Sequence, residues 1–480
     1  MKCSISRQCG SCQYIEENYE KQLQIKHKQM KELFKDFDIY VHEVNGMDNP
    51  YGYRNKVIVA FDQNYNYGLY EESTHRIVPM KQCLLHDEQT HRILLKIQQL
   101  FKKYRVSIYD LKRQRGLVKH VLIRRAVVTN QTLVCLVTTD AMFKGSKNFC
   151  NELVKTCPDV KTIVLNINKR HTSIVLSSLE KVLYGKGFIV DELCGMTFKI
   201  SAQSFYQINH EQCVHLYQKA IDLLKPQKDD VILDTYSGIG TIGMIVSPHV
   251  KKVISVELNQ QAHKDALNNA KMNHLTNMQF INQDATEFMK DYSHNHEYID
   301  GIIMDPPRAG STKEFIVNAT RLKPRSIVYI SCDPHTQARD LKEFIKLGYI
   351  CHDVYLYDMF PFTEHVESIV LLSHKSPDSH IDVKVEFGEG EEKVPLDKIA
   401  ERAKQYQPAP RVTYKMIQEY IEEKYGFKVH TAYIAEVKRN LGLPMYDAPN
   451  MVEELKQPRR HPTAEKVEAI KDALKHFGVI

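Results

Sequence analysis

Between about Asp230 and Ser373 the sequence alternates short apolar runs with helix-like segments, and this alternation limits the possible folds more than any other feature. The strand-like runs are VILDTYSG, KVISVEL, MQFINQDA, YIDGIIMDPP, SIVYISC and HVESIVLLS. Strands that alternate with helices favour a parallel sheet with helices on both faces. The sequence therefore predicts a doubly wound, Rossmann-like α/β domain, which we place at residues 195–375.

The chain before this domain has a different pattern. A charged segment without Gly or Pro from about Gln13 to Lys35 predicts one exposed amphipathic helix. From Tyr51 to about Leu193, short β-rich runs such as KVIVAF, HVLIRRAVV and TIVLNIN are separated by turn residues, which is typical of an antiparallel sheet. Residues 1–194 are therefore predicted to form a separate α+β domain.

The chain after Ser373 predicts a linker and a small helical module. Residues 376–398 are polar with an acidic patch, and helical patterns return in residues 399–480. There, TYKMIQEYIEEKYGF and TAYIAEVKRNLGL are helix-like segments joined by a short turn. This pattern suits a helix-turn-helix that binds RNA and plain helix packing equally well.

Length and composition exclude some classes of protein. The chain has 480 residues, too many for one hydrophobic core, and it contains no apolar run long enough for a membrane span or a signal peptide. We therefore expect a cytoplasmic protein of several domains, with no membrane partner and no evident obligate protein partner. The net charge of +6 is compatible with a polyanionic partner but does not identify one.

Glycines and carboxylates follow consecutive strands of the α/β domain, where ligands bind in such sheets. In VILDTYSGIGTIG, Asp234 ends the first strand, and Gly238 follows in a turn where the absent side chain lets a ligand approach the backbone. Glu257 ends the second strand, where a carboxylate can meet ribose hydroxyls, and Asp284 ends the third, where it could accept from an adenine amine. A glycine-rich turn alone also suits dehydrogenases, and any single carboxylate can simply cap a loop. The combination favours a methyltransferase that binds S-adenosylmethionine.

The fourth and fifth strands bring Asp305 of MDPPRAG and Cys332 of YISCDPH to the same edge of the sheet. A lone cysteine is more often a small buried hydrophobe, but Cys332 lies in an Asp-Pro turn, and MFPFTEHVES brings Glu367 nearby. Addition of a thiolate to carbon 6 of uracil makes carbon 5 nucleophilic enough to attack a sulfonium methyl group. A base must then remove the proton of carbon 5. We therefore predict Cys332 as the nucleophile and Glu367 as the base.

Four cysteines form a separate pattern. Cys3, Cys9 and Cys12 are spaced C-x5-C-x2-C, and Cys83 follows in PMKQCLLHD. The chain has 11 cysteines, an odd number, and no export signal, which favours metal ligation or thiol chemistry over a disulfide framework. By their number, four cysteines suit zinc and a [4Fe–4S] cluster equally well.

Five motifs occur in order over roughly residues 195–373: SAQSFYQIN, DTYSGIG, MDPPRAG, YISCDPHTQARD and MFPFTEHVE. Together they resemble the RNA uracil-5 methyltransferases. The resemblance implies a class I methyltransferase domain that uses S-adenosylmethionine, with Cys332 as nucleophile and Glu367 as base. The cofactor contacts that it implies are Gln207, Tyr236, Glu257 and Asp305, the last of which would also lie near the uracil.

The four cysteines make the resemblance more specific, because they match one subgroup of this family. Members that act on 23S ribosomal RNA carry a [4Fe–4S] cluster on C-x5-C-x2-C plus a distant cysteine, so the resemblance implies that cluster here and 23S ribosomal RNA as the partner. A transfer RNA methyltransferase and a non-catalytic RNA-binding assembly factor are the alternatives. Many relatives have a small β-barrel (TRAM) domain ahead of the first cluster cysteine, and from the position of Cys3 in this sequence we expect none here. We therefore expect RNA affinity from the basic stretch KRQRGLVKHVLIRR or from the C-terminal module, although that stretch also suits a solvated strand and turn.

Overall fold

The computed structural model describes residues 3–374 apart from 72–73, 75, 171, 173 and 296–297, together with residues 413–441 and 461–477. The chain divides into two compact units, Met1–Ser379 and His380–Ile480. The predicted linker at 376–398 lies outside the described residues, as do residues 399–412, 442–460 and 478–480 of the predicted module. Within the described ranges, every helix is too short or too polar to cross a membrane.

A seven-stranded sheet forms the first part of the larger unit. Its strands, in spatial order, are β4 (Ile77–Pro79), β3 (Tyr67–Tyr70), β2 (Lys56–Phe61), β5 (Val118–Ala126), β6 (Gln131–Thr138), β7 (Val160–Ile167) and β8 (Glu180–Tyr184). Helices α3 (Glu88–Lys103) and α4 (Ser146–Thr156) bury their apolar faces against one side of this sheet. The predicted antiparallel arrangement is wrong for one pair, since β6 and β7 are parallel. The reason is that α4 carries the chain back between them as a crossover helix.

A nine-stranded sheet forms the rest of the described part of this unit. Eight strands follow the order β1 (Tyr40–Asn45), β17 (Asp353–Tyr357), β18 (Glu367–His374), β15 (Ser326–Ser331), β14 (Gly301–Met304), β11 (Val231–Thr235), β12 (Lys252–Val256) and β13 (Met278–Ile281). The short β16 (Tyr349–Ile350) also pairs with β18. Strands β11 to β15 are parallel, whereas β18 is antiparallel to its neighbours β15 and β17. The predicted doubly wound sheet is confirmed, but the expectation of a parallel strand is wrong for the run HVESIVLLS, which forms the antiparallel β18.

Helices cover both faces of the nine-stranded sheet because its buried strands are apolar on both sides. On one face lie α5 (His210–Leu224), α6 (Thr241–Val246) with the 3₁₀ turn Ser247–His249, and α7 (Gln260–Met272). On the other lie α2 (Tyr19–Leu33), α8 (Ala285–Asn295), α9 (Lys313–Arg321) and α10 (Pro334–Lys346). A hairpin of β9 (Ile189–Leu193) and β10 (Met196–Ile200) contributes to the core shared with the seven-stranded sheet.

The helix expected from about Gln13 to Lys35 is shorter and more buried than its composition predicts. Helix α2 begins after Asn18, whose Oδ1 accepts a hydrogen bond from the N–H of Glu20 at 2.8 Å. Its Lys26 is fully buried and its Nζ lies 2.6 Å from the carboxylate of Asp358. Strand β1 then pairs with β17. The early segment from α2 to β1 therefore packs on the nine-stranded sheet, which local sequence could not predict.

The second unit contains three described helices, α11 (Tyr414–Tyr425), α12 (Thr431–Asn440) and α13 (Ala464–His476). They bury a small apolar core that includes Ile421, Ile434 and Ile470. The two segments predicted to be helical are helices α11 and α12. Nucleic-acid binding by this module stays a prediction.

Candidate active site

The glycine-rich turn after β11 is held by a buried carboxylate. Tyr236 and Gly238 both have positive φ, 63° and 57°. Asp234 accepts a hydrogen bond from the N–H of Gly243 at 3.0 Å, which ties the start of α6 to the strand. Burial raises the pKa of Asp234 to about 7. A Cβ at Gly243 would lie 2.5 Å from the Asp234 carboxylate, so this close approach requires glycine.

The next two carboxylates also bind backbone N–H groups. Glu257 accepts hydrogen bonds from Gly238 N at 2.8 Å and from Asn259 N at 2.6 Å. Asp284 lies just before α8 and accepts from Thr286 N at 2.8 Å. Both residues therefore organise loops at this edge of the sheet. Their contacts with ribose and adenine stay predictions.

Gln207 and Tyr236 approach the same edge from two directions. Gln207 is 8% exposed and lies between β10 and α5. Its backbone carbonyl accepts a hydrogen bond from Asn55 Nδ2 at 2.8 Å. The hydroxyl of Tyr236 shares a hydrogen bond with Ser311 Oγ at 3.3 Å, and its ring packs on Phe315. The Asn55 contact fixes the backbone at Gln207, and the contacts with Ser311 and Phe315 orient the Tyr236 side chain.

A cavity of about 740 Å³ brings these elements together. Every residue predicted for catalysis or cofactor binding lines it: Cys332, Glu367, Gln207, Tyr236, Gly238, Glu257, Asp284 and Asp305. They meet because β11, β12, β14 and β15 are parallel and end at one edge. Strand β18 runs in the opposite direction, so its first residue, Glu367, lies at that same edge.

The thiol of Cys332 lies in an environment that favours its neutral form. Burial, followed by the charges of Glu367 and Asp305, raises its pKa to about 11, and the guanidinium of Arg308 opposes this effect. The thiolate is the reactive form of cysteine. The site must therefore lose a proton before Cys332 can act as a nucleophile.

The two carboxyl groups whose charges act on the Cys332 thiol have pKa values near neutral pH. Glu367 is 3% exposed, and its burial, together with the charge of Asp305, raises its pKa to about 8 despite Arg308. Burial likewise raises the pKa of Asp305 to about 7. A carboxyl group whose pKa lies near the working pH can both accept and return a proton. The pair is therefore suited to acid–base chemistry beside the Cys332 sulfur.

Four further residues of the cavity wall had not been assigned a role from the sequence. Arg308 and His365 lie in MDPPRAG and MFPFTEHVE, so their position within the motifs was the available signal. Cys213 and Tyr217 come from α5 and are buried. Their helical spacing is that of ordinary core residues, and no sequence pattern marked them.

The four predicted metal ligands meet in a different place. Cys3, Cys9, Cys12 and Cys83 line a cavity of about 30 Å³ beside the seven-stranded sheet. The short helix α1 (Ser6–Cys9) and the turn at Gly10, with φ of 65°, bring the first three together. None of these cysteines is in a disulfide. Among the described residues, no group of three or more His, Cys, Asp or Glu side chains is arranged to hold a metal ion.

Gly238→Ala should raise the Kd for S-adenosylmethionine by about tenfold or more. A Cβ at Gly238 meets no protein atom within 4 Å and points into open space, so it would obstruct a ligand rather than the protein. Alanine at this positive φ also strains the backbone of the turn, at a conformational cost of about 1–2 kcal/mol. Calorimetric titration measures the effect. Gly348→Ala, also at positive φ with nothing within 4 Å, is the matched control and should bind normally. Wild-type affinity in both variants would contradict a cofactor site at Gly238.

Comparison with known proteins shows that the chain is similar to RNA methyltransferases. Residues 18–375 match the model of the family described as tRNA (uracil-5-)-methyltransferase. The chain is 35% identical over 379 residues to an uncharacterized RNA methyltransferase of Bacillus cereus, covering 78% of this chain and 82% of that protein. A similar protein of Staphylococcus aureus is 36% identical over 381 residues, covering 78% and 84%. The structure of Pyrococcus abyssi tRNA (uracil-54, C5)-methyltransferase with S-adenosyl-L-homocysteine has a TM-score of 0.64 at 27% identity, covering 74% of this chain and 83% of that one.

Proposed function

Because this chain belongs to the tRNA (uracil-5-)-methyltransferase family, we propose that it methylates carbon 5 of a uridine in 23S ribosomal RNA through a covalent bond between Cys332 and carbon 6. The observation that carries the covalent mechanism is the convergence of Cys332, Glu367 and Asp305 on one cavity. A thiol beside two carboxyl groups with raised pKa values provides a nucleophile and a base. The glycine turn on the same cavity supports a methyl donor next to them.

The residues around the turn fit S-adenosylmethionine. Gly238 leaves open space beside its backbone. The buried Ser237 Oγ has no hydrogen-bond partner among the described residues and lines the same cavity. The residues that would hold the cofactor are Gln207, Tyr236, Gly238, Glu257, Asp284 and Asp305. When bound, S-adenosylmethionine supplies an electrophilic methyl group on a sulfonium.

The first step is activation of the uracil ring. Loss of the Cys332 proton to solvent is favoured by Arg308, whose charge lowers the pKa of this thiol. The thiolate then forms a bond to carbon 6, and the electrons of the carbon 5–carbon 6 double bond move into an enolate. Carbon 5 thereby becomes nucleophilic enough to take the methyl group, and the bond between the methyl carbon and the sulfonium breaks.

The second step regenerates the enzyme. Carbon 5 now carries both the methyl group and its original hydrogen. The Glu367 carboxylate removes this proton, the carbon 5–carbon 6 double bond forms again, and the bond from carbon 6 to the Cys332 sulfur breaks. Burial keeps the Glu367 carboxyl group without a competing shell of water.

RNA containing 5-fluorouridine tests the proposed chemistry. Fluorine cannot leave carbon 5 as a proton, so the methylated adduct should persist as a protein–RNA complex stable to denaturant. Mass spectrometry should locate it on the peptide that contains Cys332. Absence of any adduct, with S-adenosylmethionine bound, would instead support the non-catalytic assembly factor.

Transfer RNA is the second candidate substrate. It is favoured by the likeness to the Pyrococcus abyssi enzyme, which is a tRNA (uracil-54, C5)-methyltransferase. The cysteine pattern favours 23S ribosomal RNA instead. Methylation mapping of both RNAs from a deletion strain separates the two, because 5-methyluridine should disappear from the true substrate alone.

We also propose a [4Fe–4S] cluster on Cys3, Cys9, Cys12 and Cys83. A tetrahedral zinc ion needs its sulfurs about 3.8 Å apart around one point, given Zn–S bonds of about 2.3 Å. In a cubane cluster each thiolate binds a different iron, so the four sulfurs need not surround one point. That the four cysteines line one cavity supports a single group bound by all four, and their spacing along the chain, which resembles that of cluster-bearing relatives, favours the cluster over zinc. Its role would be structural or RNA-positioning, with no redox step in methylation.

Cys9→Ser and Cys12→Ser should each abolish the absorbance at about 400 nm that is expected of an iron–sulfur protein. Each substitution removes a thiolate ligand, so iron content should fall in parallel. Anaerobic purification followed by absorbance and metal analysis measures both. Cys194→Ser, a half-buried cysteine outside this group, is the control and should keep its colour. A colourless wild-type protein with stoichiometric zinc would show the cluster assignment to be wrong.

A further inference from the structure

A group of exposed cations lies at one end of the seven-stranded sheet. The turn before β5 exposes basic side chains, and so does the loop after β7. Lys119 connects the two segments, since its Nζ donates a hydrogen bond to the carbonyl of Arg170 at 2.7 Å. We call the exposed set the turn patch; it consists of Lys112, Arg113, Arg115, Lys169 and Arg170.

The backbone that carries the turn patch is held in one shape. Asp110 accepts hydrogen bonds from the N–H groups of Lys112 at 2.9 Å and Arg113 at 3.0 Å. A Cβ at Gly116, where φ is 122°, would lie 2.2 Å from the carbonyl oxygen of Ile108, so glycine is required there. These contacts present the cations together rather than on a loose loop.

The cations of the turn patch have no acidic partners. In the described part of the chain, none of the five lies within 4.0 Å of a carboxylate oxygen. By contrast, some surface lysines, among them Lys21, Lys35 and Lys346, each form an ion pair with a nearby glutamate. Asp110, the acidic residue within the turn, uses its Oδ1 to cap the backbone. The five cations outnumber this one carboxylate, so the turn keeps a net positive charge, which favours a polyanion.

Strand β5 fixes the separation between the turn patch and the catalytic cavity. At its far end, Arg125 N donates to Asn55 O at 2.7 Å, and Asn55 Nδ2 donates to Gln207 O at 2.8 Å. Gln207 lines the cavity. From Lys119 to Arg125 the strand rises about 20 Å at about 3.4 Å per residue. The turn patch therefore lies at the opposite end of β5 from the contacts that lead to Gln207 and the cavity.

We propose that the turn patch binds phosphates of the substrate RNA outside the segment that contains the target uridine. The inference rests on the proposed function for the identity of the polyanion. Phosphate contacts carry little sequence information but orient the nucleic acid. The patch would thus select RNA long enough to reach from the cavity to the turn.

The test compares the triple variant K112A/R113A/R115A with wild type on a long and a short RNA. Each lost phosphate contact lowers the slope of log affinity against log salt by about 0.7–0.9, so the slope on long RNA should fall by about 2–3. Binding of a short hairpin that contains only the target loop should not change. The control K21A/K35A/K346A removes the same charge from paired lysines and should keep the wild-type slope.

Equal slopes for the triple variant and wild type on long RNA would overturn the proposal. Equal losses on long and short RNA would also overturn it, because the patch would then contact the target loop. The 5-fluorouridine adduct on the short hairpin reports on the proposed function separately. An adduct without a change of slope rejects the turn patch alone, and the absence of an adduct rejects the proposed chemistry.

Discussion

Cys332→Ala should lower methyl transfer by more than about 10³-fold, because without the thiolate carbon 5 of uracil is not activated. The affinity for S-adenosylmethionine should stay within about twofold of wild type, since the thiol acts on the base and not on the sulfonium. Single-turnover methylation and calorimetric titration measure the two quantities. The 5-fluorouridine adduct should also disappear.

Cys351→Ala is the matched control for this prediction. Cys351 is a buried cysteine before β17 and does not line the cavity. Its variant can lose some stability but should retain methyl transfer and the adduct. Turnover of Cys332→Ala within tenfold of wild type would refute the covalent mechanism.

Glu367→Gln should trap the enzyme in a covalent complex with RNA that contains ordinary uridine instead of 5-fluorouridine. The methyl group can still be transferred, but without the carboxylate the carbon 5 proton stays, so the bond to Cys332 cannot break. Loss of a general base lowers turnover by about 10²–10⁴-fold. We expect a denaturant-stable protein–RNA complex that carries one transferred methyl group, detectable by gel and by mass spectrometry. Glu364→Gln changes an exposed carboxylate in the same loop and should turn over normally.

The pH dependence of turnover distinguishes a base from a merely structural residue. With a pKa of about 8, Glu367 is mostly protonated at pH 7 and mostly ionised at pH 9. The base form therefore increases as the pH rises, and the release of methylated RNA should accelerate over this range. In Glu367→Gln the rate at which methylated RNA is released should no longer increase with pH. A normal release rate in that variant, with no trapped complex, would show that another group removes the proton.

The sequence alone was sufficient to predict which residues meet at one edge of the sheet. Apolar runs separated by helical segments identify parallel strands, and parallel strands end together. Residues that directly follow those strands, such as Asp305 and Cys332, must then be neighbours. For the same reason Glu257 and Asp284 line the same cavity as the glycine turn. Local patterns determine these positions because each depends only on the strand that precedes it.

Tertiary structure decided what those residues can do. The raised pKa of Glu367 depends on burial and on Asp305, a residue that is distant in the chain. The position of α2 depends on the buried ion pair between Lys26 and Asp358. Tyr217 forms part of the cavity wall. It lies on α5, where the spacing of the apolar residues predicts only core packing. Hydrophobic periodicity specifies which face of an element is buried and where the element ends. Desolvation and Coulomb energies depend on every group that packs nearby, and only the folded chain brings those groups together.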